Sequence, residues 1–574
     1  MVDYDTRSRW NSLMDYKEVY GQIKDYADAA VLIKEIPSIS LLSNIAYINV
    51  QLFLADSGLD YHQKQYELLS PLAILAGKET VDRLNGVMDA YKARGEAPGF
   101  FWRYSNLLFY ELIFENSNQL IYRELNDADA KALIDAYLIL NSITTTRFKN
   151  LESELNNATS EDQVERLILR NFLWQRDYAS ATDYSCQLSR GQQFFKYLEN
   201  VDEYKSYVKD FYLDLHIEDS SEIALVVLAI VNKTGIGNPK ETWNPLIDMT
   251  DVTEFIHIQF LISILLNEDI PMYRKDNKFL LLRKKMLLNL HDYKFLLLDI
   301  SFLIDQLYKA QVFAFKAFIE GRGYKGNFLS CKAKTFMEDI YFRNVIEKCF
   351  PALIKRTELN GLKIKGKEIC DYYIRGSNNV MLIEFKDVLL GADYKLGNDN
   401  ERLLDELEKK FSKNQAEKAK GIRQLINAIA YMERNVIPFD TVPNTDQLTV
   451  YPVLVYTDST FGFAGVNKYL KNLYVKLLLA QTIRKFVVKD VIFIDLSFFE
   501  IHMNSLVKGD LSIFEVMQGY LEHIKIHKFS DTAFEVYAKE YVADKVPGSR
   551  AIQPLMSETL KNILPKQFLK KRSD

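Results

Sequence analysis

Two acidic residues and a lysine lie close together in one short stretch of the sequence. Asp371 belongs to an apolar segment, and Glu384 and Lys386 end the next apolar segment, beyond a Gly-Ser-Asn-Asn sequence. This pattern predicts a β-hairpin whose loop is formed by the four residues 376–379. Counting back from the loop along an antiparallel ladder places Asp371 opposite Glu384. Because strand side chains alternate, Glu384 and Lys386 share one face, and two carboxylates and an amine are expected to converge there.

Opposed carboxylates suggest a particular chemistry. Like charges that face each other destabilise a sheet, so the arrangement is favourable if a cation lies between them. The carboxylates of Asp371 and Glu384, the backbone carbonyl of Phe385 and several waters would suit Mg²⁺ or Mn²⁺ and leave positions for phosphate. Lys386 would then hold or polarise an attacking water and offset charge on the phosphate. The expected reaction is metal-assisted hydrolysis of a phosphodiester.

The spacing of these residues resembles that of a known superfamily. Asp371, twelve intervening residues and then Glu384-Phe-Lys386 at the end of an apolar strand are similar to the motif of the PD-(D/E)xK nucleases, which have the restriction-endonuclease-like fold. The resemblance covers roughly residues 325–460 and implies metal binding by Asp371 and Glu384 and a catalytic role for Lys386. Cys370 stands where that superfamily often has proline. A surface hairpin with a Glu384–Lys386 salt bridge is the alternative.

A long helix is expected after the hairpin, from about residue 400 to 433. Lys420, Gln424 and Tyr431 share its polar face, opposite an apolar face. Superfamily members with exonuclease-like cores often carry a Gln and a Tyr here, so the resemblance implies a catalytic role for Gln424 and contacts of all three residues with nucleic acid. An ordinary solvated helix face is the alternative.

An upstream helix, expected from residue 334 to 350, carries Glu338 on an otherwise apolar face with Phe342 and Val345. Many superfamily members place an accessory acid on this helix, so Glu338 is a further candidate metal ligand. A buried salt bridge to a core Lys or Arg would explain the same acid equally well.

The rest of the chain predicts the domain organisation. Leu, Tyr and Phe recur at helical spacing from about residue 10 to 320, which predicts helical regions at 1–235 and 236–324, divided at a Gly- and Pro-containing segment. A Gly-rich connection at 321–326 predicts a boundary near residue 325, and residues 325–574 are expected to form a nuclease-like domain with an α/β extension. Strands are expected near 358–364, 368–374, 380–387, 449–456 and 488–496. The fold class expected is α+β and multidomain, with a large all-α N-terminal region followed by a restriction-endonuclease-like α/β/α domain around a central mixed sheet.

Composition excludes several classes of protein. With 574 residues, 48% of them hydrophobic, and a net charge of −5, the chain is neither disordered nor attracted to nucleic acid by an overall positive field. Its four scattered cysteines, without a CxxC pair, argue against a disulfide framework and a structural zinc site. No signal peptide and no apolar run long enough to cross a bilayer are recognised, so a cytoplasmic protein without a membrane partner is expected.

These features together predict a cytoplasmic Mg²⁺-dependent nuclease that acts on nucleic acid, with DNA favoured. The helical region is expected to regulate the nuclease, by selecting its substrate or restraining it, or to bind a protein partner or form a homo-oligomer. By analogy of fold, chains of this kind resemble prokaryotic defence or mobile-element nucleases. The alternative is a non-catalytic scaffold with a nuclease-like fold that binds nucleic acid or protein.

Overall fold

The computed structural model describes most of the chain. The described residues are 13–53, 59–118, 121–146, 151–175, 178, 183–235, 243–250, 259–276, 278–351, 354–356, 370–397, 399–413, 416–434, 440, 448–526, 532–546 and 559–560. They divide between two compact units. One is drawn from Thr6–Ser153 and Ala181–Tyr324, and the other from Glu154–Ser180 and Lys325–Leu560.

Helices dominate the chain up to residue 324. They are α1 Tyr16–Tyr20, α2 Tyr26–Ile33, α3 Ser38–Phe53, α4 Leu59–Leu75, α5 Lys78–Ala93, α6 Arg103–Glu115, α7 Asp127–Thr146, α8 Leu151–Asn156, α9 Glu161–Phe172, α10 Tyr184–Asn200, α11 Asp202–Asp214, α12 Ser220–Lys233, α13 Gln259–Ser263, α14 Leu280–Lys284, α15 Ile300–Asp305 and α16 Lys309–Gly321, with short 3₁₀ turns at Leu173–Gln175 and Ile270–Met272. Aspartates begin several of them, as where the Asp15 side chain accepts the Glu18 N–H and starts α1. The expected large helical N-terminal region is confirmed.

The first unit is nevertheless not all-α, and the expectation was wrong on this point. Three short strands, β1 (Leu246–Asp248), β2 (Leu287–Asn289) and β3 (Lys294–Leu297), form an antiparallel sheet in the order β1-β3-β2. Strands of three or four residues are too short to show a period of two, and their apolar residues fit a helical pattern equally well. Pairing between distant segments decides their conformation.

The second unit is built on a mixed sheet. Its strands are β4 (Ile354–Arg356), β5 (Tyr372–Gly376), β6 (Asn379–Lys386), β7 (Thr449–Tyr456), β8 (Val487–Val488) and β9 (Ile492–Asp495). The order is β4-β5-β6-β7, and β8 and β9 both pair with β7. The pairs β4–β5 and β5–β6 are antiparallel, whereas β6–β7, β7–β8 and β7–β9 are parallel. The expected mixed sheet is confirmed, while residues 357–369, where one further strand was expected, lie outside the described residues.

Helices cover both faces of this sheet. The helices after residue 324 are α17 Phe328–Cys331, a π-helix at Lys332–Phe342, α18 Arg343–Cys349, α19 Ala392–Leu396, α20 Asn400–Phe411, α21 Ile422–Arg434, α22 Ala464–Leu479, α23 Leu496–Lys508, α24 Ile513–His523 and α25 Phe534–Lys545, with a 3₁₀ turn at Ser459–Gly462. Phe342, at the end of the π-helix, stacks on Phe385 of β6 with ring centroids 4.5 Å apart. At the start of α21, Gly421 lies against Leu454, which is paired with Glu384 and so points to the face opposite that of Phe385.

The long helix expected from about residue 400 to 433 is wrong in one respect, since it consists of two helices, α20 and α21. Between them the main-chain N–H of Lys420 donates to the carbonyl of Ser412 at 2.7 Å, and Gly421 has a φ of 43°. This backbone conformation favours glycine and ends a regular helix. The break places Lys420 in the connection rather than on the helix.

In the described part of the chain, no single helix is long and apolar enough to cross a bilayer. Helices α2 and α3 meet that criterion only as a pair, and their axes are bent by 114°.

Candidate functional site

The hairpin β5–β6 positions the acids. Arg375 pairs with Val380, as the sequence predicts, and the register continues to Tyr372 opposite Ile383. The loop is tighter than expected, because Gly376 and Asn379 pair with each other and leave a two-residue turn. Ser377, the first turn residue, has a φ of 51°. The sequence therefore predicted the register, and the prediction of a four-residue loop was wrong.

Asp371 departs from the regular ladder. Its N–H donates to the carbonyl of Ile383 at 3.1 Å, although Ile383 is already paired with Tyr372. Two consecutive residues thus face Ile383, which is the pattern of a β-bulge. The Asp371 carboxylate takes over the next ladder position by accepting the N–H of Phe385 at 2.7 Å. Asp371 is therefore held at the end of the hairpin by its side chain, and not directly opposite Glu384 as the register alone predicted.

Glu384 and Lys386 form a buried ion pair on the other face of β6 from Phe385. Lys386 Nζ lies 3.1 Å from Glu384 Oε2, and the two side chains are 14% and 0% exposed. The second oxygen, Glu384 Oε1, is buried and has no hydrogen-bond partner among the residues that the structure describes. A buried carboxylate oxygen without a partner is costly, because it has lost its hydration. This oxygen is the one most in need of a cation or a hydrogen-bond donor.

The charges of these residues interact with one another. Burial, and then the charge of Asp371, raises the pKa of Glu384 well above its usual value. Burial opposes a charge on Lys386, but the attraction of Glu384, Asp371 and Glu338 outweighs it and raises the pKa of Lys386. The charges of three carboxyl groups thus act on one ammonium, and the site can accommodate more positive charge.

Glu338, on the π-helix, lies close to this cluster. Its side chain is 17% exposed and is paired with Lys334, one turn earlier. Burial, and then the charge of Asp371, raises the pKa of Glu338 to about 7. The structure therefore brings Glu338 toward Asp371, and it pairs Glu338 with Lys334, whose side chain is 51% exposed, and not with the core Lys or Arg of the alternative.

Lys420, Gln424 and Tyr431, which were expected on the following helix, differ in how they relate to this cluster. Burial, and then the positive charges of Lys386 and Lys410, lowers the pKa of Lys420, so its ammonium lies within electrostatic reach of Lys386. Gln424 accepts the N–H of Gly421 at 2.7 Å, a hydrogen bond that caps the start of its own helix. Tyr431 is half-buried two turns further along α21. Of these three residues, Lys420 is the one whose charge interacts with that of Lys386.

The donor set can be compared with the needs of a divalent cation. Since the N–H and C=O of a strand residue point to the same side, the Phe385 carbonyl faces the edge on which its N–H meets Asp371. Within the described ranges no group of three His, Cys, Asp or Glu side chains is close enough to hold a metal ion. Mg²⁺ needs only one or two protein carboxylates and retains several waters. Asp371 and Glu384, with the partnerless Glu384 Oε1, fit this requirement.

One neighbouring group was missed from the sequence. Asp387, directly after Lys386, accepts from Lys332 Nζ at 2.6 Å and from the hydroxyl of Thr457 at 2.6 Å. The only sequence signal was an acid next to the motif lysine, and the two partners lie far away in the chain. Sequence spacing could not have identified them.

No protein-family model matches the chain, and no curated protein shows significant similarity to it. The function must therefore be inferred from the geometry around Asp371, Glu384 and Lys386.

Proposed function

We propose that this protein is a metal-dependent nuclease of the PD-(D/E)xK type that hydrolyses phosphodiester bonds in nucleic acid. The observation that carries the proposal is the buried pair Glu384–Lys386 at the end of a mixed-sheet strand, beside Asp371, with Glu384 Oε1 lacking any partner in the described part of the chain. Burial and mutual repulsion destabilise the charged forms of these carboxylates, and groups destabilised in this way are commonly found at functional sites. The helix, antiparallel hairpin, helices and parallel strand around it support a restriction-endonuclease-like fold.

Asp371 and Glu384 would hold the cation, Mg²⁺ or Mn²⁺, with the Phe385 carbonyl and with Glu338 as an accessory acid. A divalent ion at this position supplies Lewis-acid stabilisation of the charge that develops on the phosphoryl oxygens. Asp371 is well suited to orient it, since one carboxylate oxygen is fixed by the Phe385 N–H at 2.7 Å and the other can face the ion.

Lys386 would act on the reacting phosphate. An ammonium has three N–H donors, and Glu384 takes one of them at 3.1 Å. The others can donate to a phosphoryl oxygen and to the attacking water, and the positive charge offsets the negative charge of the transition state. In hydrolysis the water oxygen attacks phosphorus while the bond to the leaving sugar oxygen breaks. Lys386 would stabilise that step rather than bind the rest of the substrate.

Lys420, with Gln424 and Tyr431, would contact the nucleic acid along helix α21. The net charge of −5 makes such a local set of contacts necessary, because the chain as a whole does not attract phosphate. DNA is the favoured substrate. The first unit would bind a protein partner or a second copy, in a cytoplasmic protein of prokaryotic defence or mobile-element biology.

A non-catalytic scaffold that binds nucleic acid or protein is the second candidate. One observation favours it: each of the three acids already has a partner within the chain, namely Lys386, the Phe385 N–H and Lys334. A purely structural cluster would show the same pairs. It would not explain the unsatisfied Glu384 Oε1.

One experiment separates the two candidates. The full chain is incubated with plasmid, single-stranded DNA and RNA in Mg²⁺, Mn²⁺ or EDTA, beside Lys386→Ala. Lys409→Ala is the matched control, since Lys409 forms a surface pair with Asp405. We expect metal-dependent cleavage that falls about 10²- to 10³-fold in Lys386→Ala and is unchanged in the control. No cleavage of any substrate by the wild type, or equal cleavage by Lys386→Ala, would refute the nuclease.

A further inference from the structure

Asp387 joins three elements at the level of the motif lysine. Its carboxylate is bonded to Lys332 of the π-helix on one oxygen and to Thr457, directly after β7, on the other, each at 2.6 Å. The ion pair is well shielded, since the Lys332 and Asp387 side chains are only 10% and 7% exposed. The Asp387 side chain therefore has both oxygens occupied and little freedom to move.

These contacts lie where they can control the site. Lys386 pairs with Tyr456 at the end of the parallel strands, so Asp387 and Thr457 are the next residues of two adjacent strands. Since successive side chains point to opposite faces, Asp387 faces the π-helix while Lys386 faces the other side. Fixing Asp387 therefore fixes the backbone that carries Lys386.

The same ion pair anchors the other side of the cluster. Lys332 is the first residue of the π-helix, and Glu338 lies further along that helix, where the charge of Asp371 acts on it. The Lys332–Asp387 contact thus sets the distance between the helix that carries Glu338 and the strand end that carries Glu384 and Lys386. A second contact, Phe342 on Phe385, holds the far end of the helix.

We propose that Asp387 is a positioning residue for the reaction, acting with Lys332 and Thr457 to hold Lys386 and the carboxylates in register. This inference rests on the proposed nuclease function. Asp387 does not touch the substrate, and its effect is on geometry alone. Misplacement of a reacting group by about 1 Å can cost about 10²-fold in rate, so a buried ion pair at this point has a direct kinetic consequence.

The test compares two buried ion pairs at opposite ends of the same hairpin. Asp387→Asn weakens the ion pair of Asp387 with Lys332, and Asp440→Asn weakens the ion pair of Asp440 with Arg375. In the second pair, Arg375 Nη2 lies 2.8 Å from Asp440 Oδ1, and the side chains of Arg375 and Asp440 are 11% and 3% exposed. Cleavage kinetics are measured for both full-length variants at saturating Mg²⁺, well below their unfolding temperatures. We expect kcat of Asp387→Asn to fall about 10- to 100-fold with KM nearly unchanged, and kcat of Asp440→Asn to stay near that of the wild type.

Substitutions of Lys332 test the Lys332–Asp387 ion pair independently. Lys332→Arg should retain most of kcat, because it keeps the ion pair, whereas Lys332→Met should behave like Asp387→Asn. If Asp387→Asn does not fold, Thr457→Val removes only the second hydrogen bond and should lower kcat by a smaller factor, again without a change in KM.

The possible outcomes separate this inference from the proposed function. A wild-type protein without activity overturns the nuclease and the positioning role with it. An active wild type with unaltered kcat in Asp387→Asn, or with equal losses in Asp387→Asn and Asp440→Asn, overturns the positioning role alone. A loss confined to KM would also overturn it, because Asp387 would then act on substrate binding.

Discussion

We expect Glu111 of helix α6 to make the stability of the first unit depend on pH. Its carboxylate is fully buried, it accepts a short hydrogen bond from the hydroxyl of Tyr273, and its Oε2 has no partner among the described residues. Burial raises the pKa of Glu111 from 4.5 to about 7, against the opposing effect of the Tyr273 and Asp276 hydrogen bonds. Nearby, Asp276 disfavours its charge and Lys275 favours it.

The sign and size of the effect follow from linkage. Between pH 4.5 and about 7 the folded protein keeps a proton on Glu111 that the unfolded chain has released, so the free energy of unfolding falls as the pH rises through this window. At about 1.4 kcal/mol for each pKa unit, the full contribution is about 3 kcal/mol. It is fully present below pH 4.5 and lost above about pH 7.

Glu111→Gln should remove this dependence. Relative to the wild type, the variant should gain about 2 to 3 kcal/mol between pH 5 and pH 8, because a neutral amide pays no cost of ionisation in the core. Urea unfolding at both values, with hydrogen exchange of α6 peptides to follow this unit, measures the gain. Glu115→Gln is the control, since Glu115 is an exposed acid one turn further along the same helix.

Two results would refute this reasoning. If the stability difference between Glu111→Gln and the wild type is the same at pH 5 and pH 8, the buried carboxylate does not titrate in this window. If Glu115→Gln shows the same gain, the effect belongs to the charge of the surface and not to the burial of Glu111.

Three further predictions concern the site and the core. Asp371→Asn and Glu384→Gln should each abolish metal-dependent cleavage with circular dichroism unchanged, and wild-type rates in a plasmid assay would show that the acids are wrongly assigned. Asp299→Asn should lower the free energy of unfolding by about 3 kcal/mol or more, because Arg103 Nη2 lies 2.8 Å from Asp299 Oδ1 and loses a buried charged partner; an unchanged urea midpoint would contradict this. Gly191→Ala should lower the thermal midpoint of unfolding, because a Cβ there would lie 1.8 Å from the Leu307 carbonyl oxygen. Gly86→Ala, whose Cβ would lie in open space on α5, should raise that midpoint slightly. Equal shifts in the two variants would argue against the close packing of Gly191 on Leu307.

Local patterns in the sequence were enough to find the hairpin and its motif residues. Alternation of apolar residues around Gly376 predicts both strands and their register, because a slip of one residue would turn every side chain to the wrong face. Helical spacing likewise predicts the predominantly helical first unit and the buried face of α21, where Ile422, Leu425 and Ile429 are all buried.

Other features depend on contacts between residues far apart in the chain. The small sheet of the first unit pairs residues 246–248 with residues 294–296, and the bulge at Asp371 depends on hydrogen bonds to Ile383 and Phe385 on the neighbouring strand. A local pattern carries no information about which distant group will be a neighbour.

The candidate site divides in the same way. Local features of the sequence were enough to single out Asp371, Glu384 and Lys386 and to predict the strand that carries Lys386, because residue type and a period of two are local properties. Long-range packing, which the sequence does not reveal, brings Glu338 toward Asp371 and joins Asp387 to Lys332. Those contacts join residues on separate elements, and their distances are fixed by how helices pack on the sheet.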